Sequence, residues 1–312
     1  MLGSYSLALL GFALLIGSGR FLVKGSVALA GYFGLSTLIV GITVVAFGTS
    51  APELLISVQA ALKGHPEIAL GNVIGSNISN IALVLALSAI IVPITVKKTT
   101  LLVDWPFMML LSILFFVFSL DHILVRWEGL LFTFLLIGFI VFSIRKSKNN
   151  VQSNPIEKKT DLNIWAILGI LIAACAGLVV GSSLLIDSAI IVANDLGVSE
   201  RVISISMIAI GTSLPELSTS IIAAIQKETD ISVGNIIGSN IFNISSVLGI
   251  TAIIRPIEIS KVMVSSDIIW MLSISFLLFL LILPLRKSKL SRFEGFLLLA
   301  VYVFYLYRVI NL

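Results

Sequence analysis

Residues Gly48–Asn80 read GTSAPELLISVQAALKGHPEIALGNVIGSNISN, and residues Gly211–Asn243 read GTSLPELSTSIIAAIQKETDISVGNIIGSNIFN. At a constant spacing of 163, 18 of these 33 positions are identical. The same spacing aligns Gly34 with Gly197, Asp104 with Asp267, and Pro93-Ile94 with Pro256-Ile257. Composition bias makes apolar segments resemble one another, but it does not match Thr, Ser, Pro, Glu and three Asn in register. The chain is an internal duplication.

Around the two motifs the chain is strongly apolar. Of 312 residues 12% are charged and 58% hydrophobic, and the mean hydropathy is +1.13. An ordinary soluble domain carries about 25% charged residues. So little polar surface cannot cover so much apolar surface in water. This excludes a soluble enzyme, a nucleic-acid binder and a secreted disulfide scaffold. The basic pI of 9.2 comes from short clusters between apolar runs. Cys175 is the one cysteine, so neither an intramolecular disulfide nor a cysteine metal site is available.

A membrane helix needs about 20 apolar residues. Ten runs meet this, near 4–30, 36–62, 69–92, 101–120, 126–144, 164–193, 199–226, 232–254, 266–284 and 293–310. Period-2 alternation, which a barrel requires, is absent. The expected fold is an all-α polytopic membrane protein of about ten helices. The first run is too long for a signal-peptide core and lacks a basic leader, so it is read as a retained span. Residues 145–163 form a polar linker between a first five-helix repeat (1–144) and a second (164–312). An odd number of spans per repeat makes the second repeat enter the membrane with opposite polarity, the inverted arrangement of many secondary transporters.

Lys and Arg divide unevenly between alternate loops. Twelve (Lys97, Lys98, Arg145, Lys146, Lys148, Lys158, Lys159, Lys227, Arg286, Lys287, Lys289, Arg292) fall on one side and six (Lys63, Arg126, Arg201, Arg255, Lys261, Arg308) on the other. The positive-inside rule then places the linker in the cytoplasm and both termini outside. Arg20 and Lys24 fall within the first span and stay out of this count.

Glu53 and Glu216 lie deep in apolar spans, each directly after a proline. A carboxylate there costs at least about 2.5 kcal/mol and marks a functional site by default. A buried ion pair would need a basic partner, and neither repeat has one at that depth. Pro52 and Pro215 should interrupt their helices and free carbonyls near Gly48 and Gly211. Thr49 and Ser50 share a helix face with Glu53, as Thr212 and Ser213 do with Glu216. In the following spans Asn72, Ser76 and Asn80 recur every four residues, matched by Asn235, Ser239 and Asn243. Gly71/Gly75 and Gly234/Gly238 are small-xxx-small pairs that allow close helix approach. Every candidate ligand is an oxygen, the set preferred by hard cations such as Ca2+ and Na+ rather than by zinc. His65 and His122 fall in loops and read as solvated.

These strings resemble the sodium/calcium exchanger family of the cation/calcium exchanger superfamily. The resemblance covers both signature repeats, and the ten-span layout extends it over nearly the whole chain. It implies electrogenic antiport of Ca2+ against several Na+ by alternating access. It also implies ion ligands at Glu53, Glu216, Thr49, Ser50, Thr212, Ser213, Ser76, Ser239, Asn80 and Asn243, with backbone carbonyls of Ala46 and Ala209. The first and sixth spans would form the moving gate. Ca2+ and Na+ would be the cargo, with no cofactor, no enzyme activity, no nucleic acid and no protein partner beyond the bilayer. Nothing resembles the large Ca2+-sensing domains of animal exchangers. A proton-coupled exchanger is the nearest alternative. Such relatives carry an acidic residue shortly after the Gly-Asn of each repeat, whereas Gly71-Asn72 and Gly234-Asn235 are each followed by two aliphatic residues and Gly-Ser. A potassium-dependent exchanger is a second alternative; some relatives of that kind carry Asp at the position of Asn243. A cation channel lacks the reason for an inverted repeat, and no nucleophile–base set suggests an intramembrane enzyme.

Overall fold

A computed structural model of the chain describes residues 2–153, 162–195, 211–283 and 289–311. In chain order the helices are α1 (Leu2–Phe33), α2 (Thr37–Thr49), α3 (Ala51–Leu62), α4 (Pro66–Ile91) and α5 (Thr100–Asp121). They continue as α6 (Arg126–Ser153), α7 (Ile164–Asp195), α8 (Leu214–Ile225), α9 (Thr229–Ile254), α10 (Met263–Ile282) and α11 (Arg292–Asn311). Among the described residues seven helices are long and apolar enough to cross a membrane, and the bent pair α2–α3 makes an eighth. With α8 and α11 they follow the ten-span layout read from the sequence. Residues 199–210, the first half of the seventh expected span, lie outside the described residues.

Two departures have physical reasons. Helix α6, the fifth expected span, continues to Ser153, nine residues past the expected end at 144. Hydropathy marks where the bilayer ends, while Arg145, Lys146 and Lys148 favour helix in water as well. The second span breaks at Ser50, two residues ahead of Pro52, with a 44° bend. Pro52 therefore occupies the first turn of a new helix, where its missing N–H is no loss. Pro215 does the same in α8 after Ser213, whose backbone angles (φ −85°, ψ 4°) repeat those of Ser50 (φ −86°, ψ 3°).

Four two-residue strands among the described residues report the repeat geometry. β1 (Ile94–Thr95) pairs antiparallel with β4 (Lys289–Leu290), and β2 (Ile123–Leu124) with β3 (Ile257–Glu258). β1 follows the third span of the first repeat, whereas β4 follows the fourth span of the second. Successive span exits alternate between membrane faces, so these two meet only if the repeats are inverted. Arg126-Trp127-Glu128-Gly129 and Arg292-Phe293-Glu294-Gly295 extend the duplication at a spacing of 166. In both, the glutamate carboxylate accepts a hydrogen bond at 2.9 Å from the backbone N–H three residues before it, Val125 and Ser291.

The apolar core falls into two clusters. One joins α2, α4–α6 and α9–α11. The other is built mainly from α1 and α7, with Leu22, Val23, Ile167 and Leu171 at its centre. α4 and α9 are the most enclosed spans, 72% and 89% buried against 28–39% for the other long single helices. A helix shielded from lipid by protein can carry polar residues at membrane depth. These two carry Asn72, Ser76, Asn77, Asn80 and their counterparts.

Candidate ion-binding site

Close backbone packing positions the site. A Cβ on Gly234 would lie 2.7 Å from the Leu38 carbonyl oxygen, and one on Gly238 only 2.5 Å from that of Ile42. The small-xxx-small pair of α9 is thus pressed flush against α2. The segment expected to face Gly71/Gly75 lies outside the described residues. The contact carries Thr49 to α9, where its hydroxyl donates to Asn235 Oδ1 at 3.0 Å and lies 3.3 Å from Ser239 Oγ.

From there the polar network crosses between repeats. Ser50 Oγ and Ser239 Oγ donate to Glu216 Oε1 at 3.3 and 3.4 Å. Ser76 and Thr212 approach to 3.1 Å, the counterpart of Thr49 with Ser239. Asn72 Nδ2 donates to the Glu53 carbonyl and to Ser57 Oγ, and Asn235 repeats this with Glu216 and Ser220. Each asparagine ties the carboxylate-bearing helix to the central span beside it. Glu53 and Glu216 both sit in the first turn after the Ser50 or Ser213 break. There the positive end of the helix dipole favours an anion.

The two carboxylates are fully buried and within electrostatic reach of each other. Lys97 pairs with Asp230, and among the described residues neither Glu53 nor Glu216 forms an ion pair. Several buried oxygens of this region carry no hydrogen bond: both of Glu53, Oε2 of Glu216, Oγ of Ser213, and Oδ1 of Asn72, Asn80 and Asn243; single hydroxyls elsewhere, such as those of Ser26 and Thr100, do likewise. Unpaired buried oxygens are rare in folded proteins. Here all are acceptors for a cation, and no nitrogen or sulfur ligand stands among them. Such a set can neutralise and partly dehydrate a hard cation.

The sequence reading missed Asn77 and Asn240 as members of this region. Asn80 Nδ2 donates to Asn240 Oδ1 at 3.0 Å, Asn243 Nδ2 to Asn77 Oδ1 at 3.1 Å, and Asn240 Nδ2 to the Asn77 carbonyl at 3.3 Å. Both belong to the duplicated Gly-Ser-Asn string, but nothing in one strand of text shows that they cross the internal dyad. A π-helical turn begins at each of Asn80 and Asn243, a local widening common at functional sites. Of the twelve sequence-derived ligands, eleven lie within the described residues. The Ala46 carbonyl already accepts from Ser50 N–H at 2.9 Å and Thr49 Oγ1 at 3.3 Å. Ala209 lies outside the described residues.

The sequence model of the sodium/calcium exchanger protein family matches residues 3–145 and 166–311. The chain belongs to this family. The putative antiporter CaxA of Alkalimonas amylolytica is 37% identical over 98% of each chain. The sodium/calcium exchanger MaX1 of Methanosarcina acetivorans is 29% identical over 97% of each. Structures of the sodium-calcium exchanger NCX_Mj, one soaked with Na+ and Ca2+, superpose with a TM-score of 0.83 at 33% identity over 96% of each chain. This family member is therefore a polytopic membrane protein of the exchanger fold.

Proposed function

We propose that the chain exchanges Ca2+ for several Na+ across the cell membrane by alternating access, moving net charge and needing no K+. The observation that carries this reading is the pair of buried carboxylates without a basic side-chain partner, in a region of unpaired oxygens. Glu53 and Glu216 would hold either Ca2+ or Na+, which makes the two ions compete for one site and couples their movements. Thr49, Ser50, Ser76 and Asn80 from one repeat, with Thr212, Ser213, Ser239 and Asn243 from the other, would complete the shell. The carbonyls of Ala46 and Ala209 would add to it. A formal charge of −2 is balanced by one Ca2+. More than two Na+ returning per Ca2+ would carry excess positive charge, which makes the cycle electrogenic. We place the linker in the cytoplasm and both termini outside, on the Lys/Arg bias.

Purified protein in Na+-loaded vesicles should take up Ca2+ only when an outward Na+ gradient is imposed, and a membrane potential should alter the rate. Uptake driven equally by a proton gradient without Na+ would favour the proton-coupled alternative. Uptake independent of any gradient would overturn antiport.

A further inference from the structure

We propose that Arg20 and Lys24 form a binding site for the phosphate of an anionic phospholipid on the outer face of α1. The two lie one helical turn apart and exposed, within the apolar segment Tyr5–Phe33. Cations in such a segment are rare unless paired or lifted to the interface. Among the described residues no carboxylate forms an ion pair with either. They open instead onto a groove of about 300 Å3, lined also by Phe21, Val27, Gln226 and Glu228.

The groove's contents favour one ligand. Gln226 and Glu228 belong to the turn between α8 and α9, so the groove lies where helices end, at headgroup depth. Arg20 and Lys24 bring two positive charges to one wall of the groove, which suits the negative charge of a phosphodiester. The Arg20 guanidinium can engage two phosphate oxygens at once, with Lys24 as a point charge beside it. Gln226 supplies an amide donor. Exposed Phe21 and half-buried Val27 give apolar walls for the glycerol and first acyl carbons. The inward face of α1 is committed elsewhere: a Cβ on Gly11 would meet the Gly181 carbonyl at 2.8 Å, and Ser218 Oγ donates to the Leu15 carbonyl at 2.8 Å. A lipid in this groove would therefore bridge α1 to the turn between α8 and α9 from the membrane side.

This inference stands apart from the exchange reading, and its main test needs no transport. The delipidated full-length chain in neutral detergent would be titrated with short-chain phosphatidylglycerol, short-chain phosphatidylcholine or inorganic phosphate, and its melting temperature followed. We expect phosphatidylglycerol to raise Tm saturably by about 2–4 °C, less so at high salt, with little effect of the other two. Arg20→Gln/Lys24→Gln should unfold near the wild-type temperature without lipid and lose the rise. Arg20→Lys, which keeps the charge, should retain part of it and guards against a double variant that folds poorly. An equal response to phosphatidylcholine, a response to inorganic phosphate alone, or an undiminished rise in the double variant would each overturn the proposal.

Discussion

Asn80 and Asn240, one from each repeat, meet across the internal dyad with their side-chain amides 3.0 Å apart, and Asn243 meets Asn77 in the same way at 3.1 Å. In each pair the donor's NH2 is engaged, which leaves its oxygen as the unpaired atom. An amide free to rotate would present nitrogen as readily as oxygen, and a nitrogen donor repels a cation. The pairing therefore settles which end of Asn80 and Asn243 an ion would meet. We expect Asn77→Ala or Asn240→Ala to raise the half-saturating Ca2+ concentration about tenfold or more, as loss of a ligand's supporting hydrogen bond commonly does. Ca2+-concentration dependence of uptake checks this. An unchanged value would mean the amides are oriented by something else.

Glu53→Gln and Glu216→Gln should each abolish Ca2+ uptake while the protein stays folded. Without a cation, two buried carboxylates destabilise the fold, so each variant should melt higher than the wild type in chelator. Ca2+ should raise wild-type Tm and leave the variants unmoved. Thermal melts with and without Ca2+ separate loss of binding from loss of structure.

Acid should inhibit. A proton bound to Glu53 or Glu216 removes one of the two negative charges that balance Ca2+, so affinity falls as pH falls. The half-saturating Ca2+ concentration, measured from neutral into the acid range, should rise steadily. Insensitivity throughout the titration of both carboxylates would count against a shared two-carboxylate site.

Ca2+ transport should need no K+. Both symmetric positions, Asn80 and Asn243, are amides, so Ca2+ already neutralises the formal charge of the site. A co-bound K+ would add uncompensated charge in a low-dielectric setting. Na+-driven uptake with choline replacing K+ on both sides should match uptake in K+. Loss of most activity, restored by adding K+ back, would show that the charge count omits a ligand.

Gly129 and Gly138 lie on one helix but should differ sharply on substitution. A Cβ on Gly129 would sit 2.5 Å from the Gly249 carbonyl, whereas one on Gly138 meets nothing within 4 Å. Gly129→Ala should destabilise by about 1–3 kcal/mol because α6 must move off α9. Gly138→Ala should be neutral or gain up to about 1 kcal/mol in helix propensity. Paired thermal melts in detergent decide it.

The sequence by itself determined the membrane setting, the ten-span plan and the inverted duplication. Apolar run length and a fixed 163-residue register are one-dimensional quantities. It also pointed to Glu53 and Glu216, because a charge in an apolar run is conspicuous wherever it folds. The Arg-aromatic-Glu-Gly repeat was legible too, but a search at one fixed spacing passes over it, since the second half carries three additional residues before it. Tertiary structure alone decided which polar groups meet. Ser50 serves the glutamate of the other repeat rather than its own, and Thr49 reaches Asn235, 186 positions away. Asn77 and Asn240 acquire their role only by crossing the dyad. Glycine contacts that press α9 against α2 set those distances, and a hydrogen bond forms only within a few tenths of an ångström. Such proximity is a property of packed helices, which residue order does not encode locally.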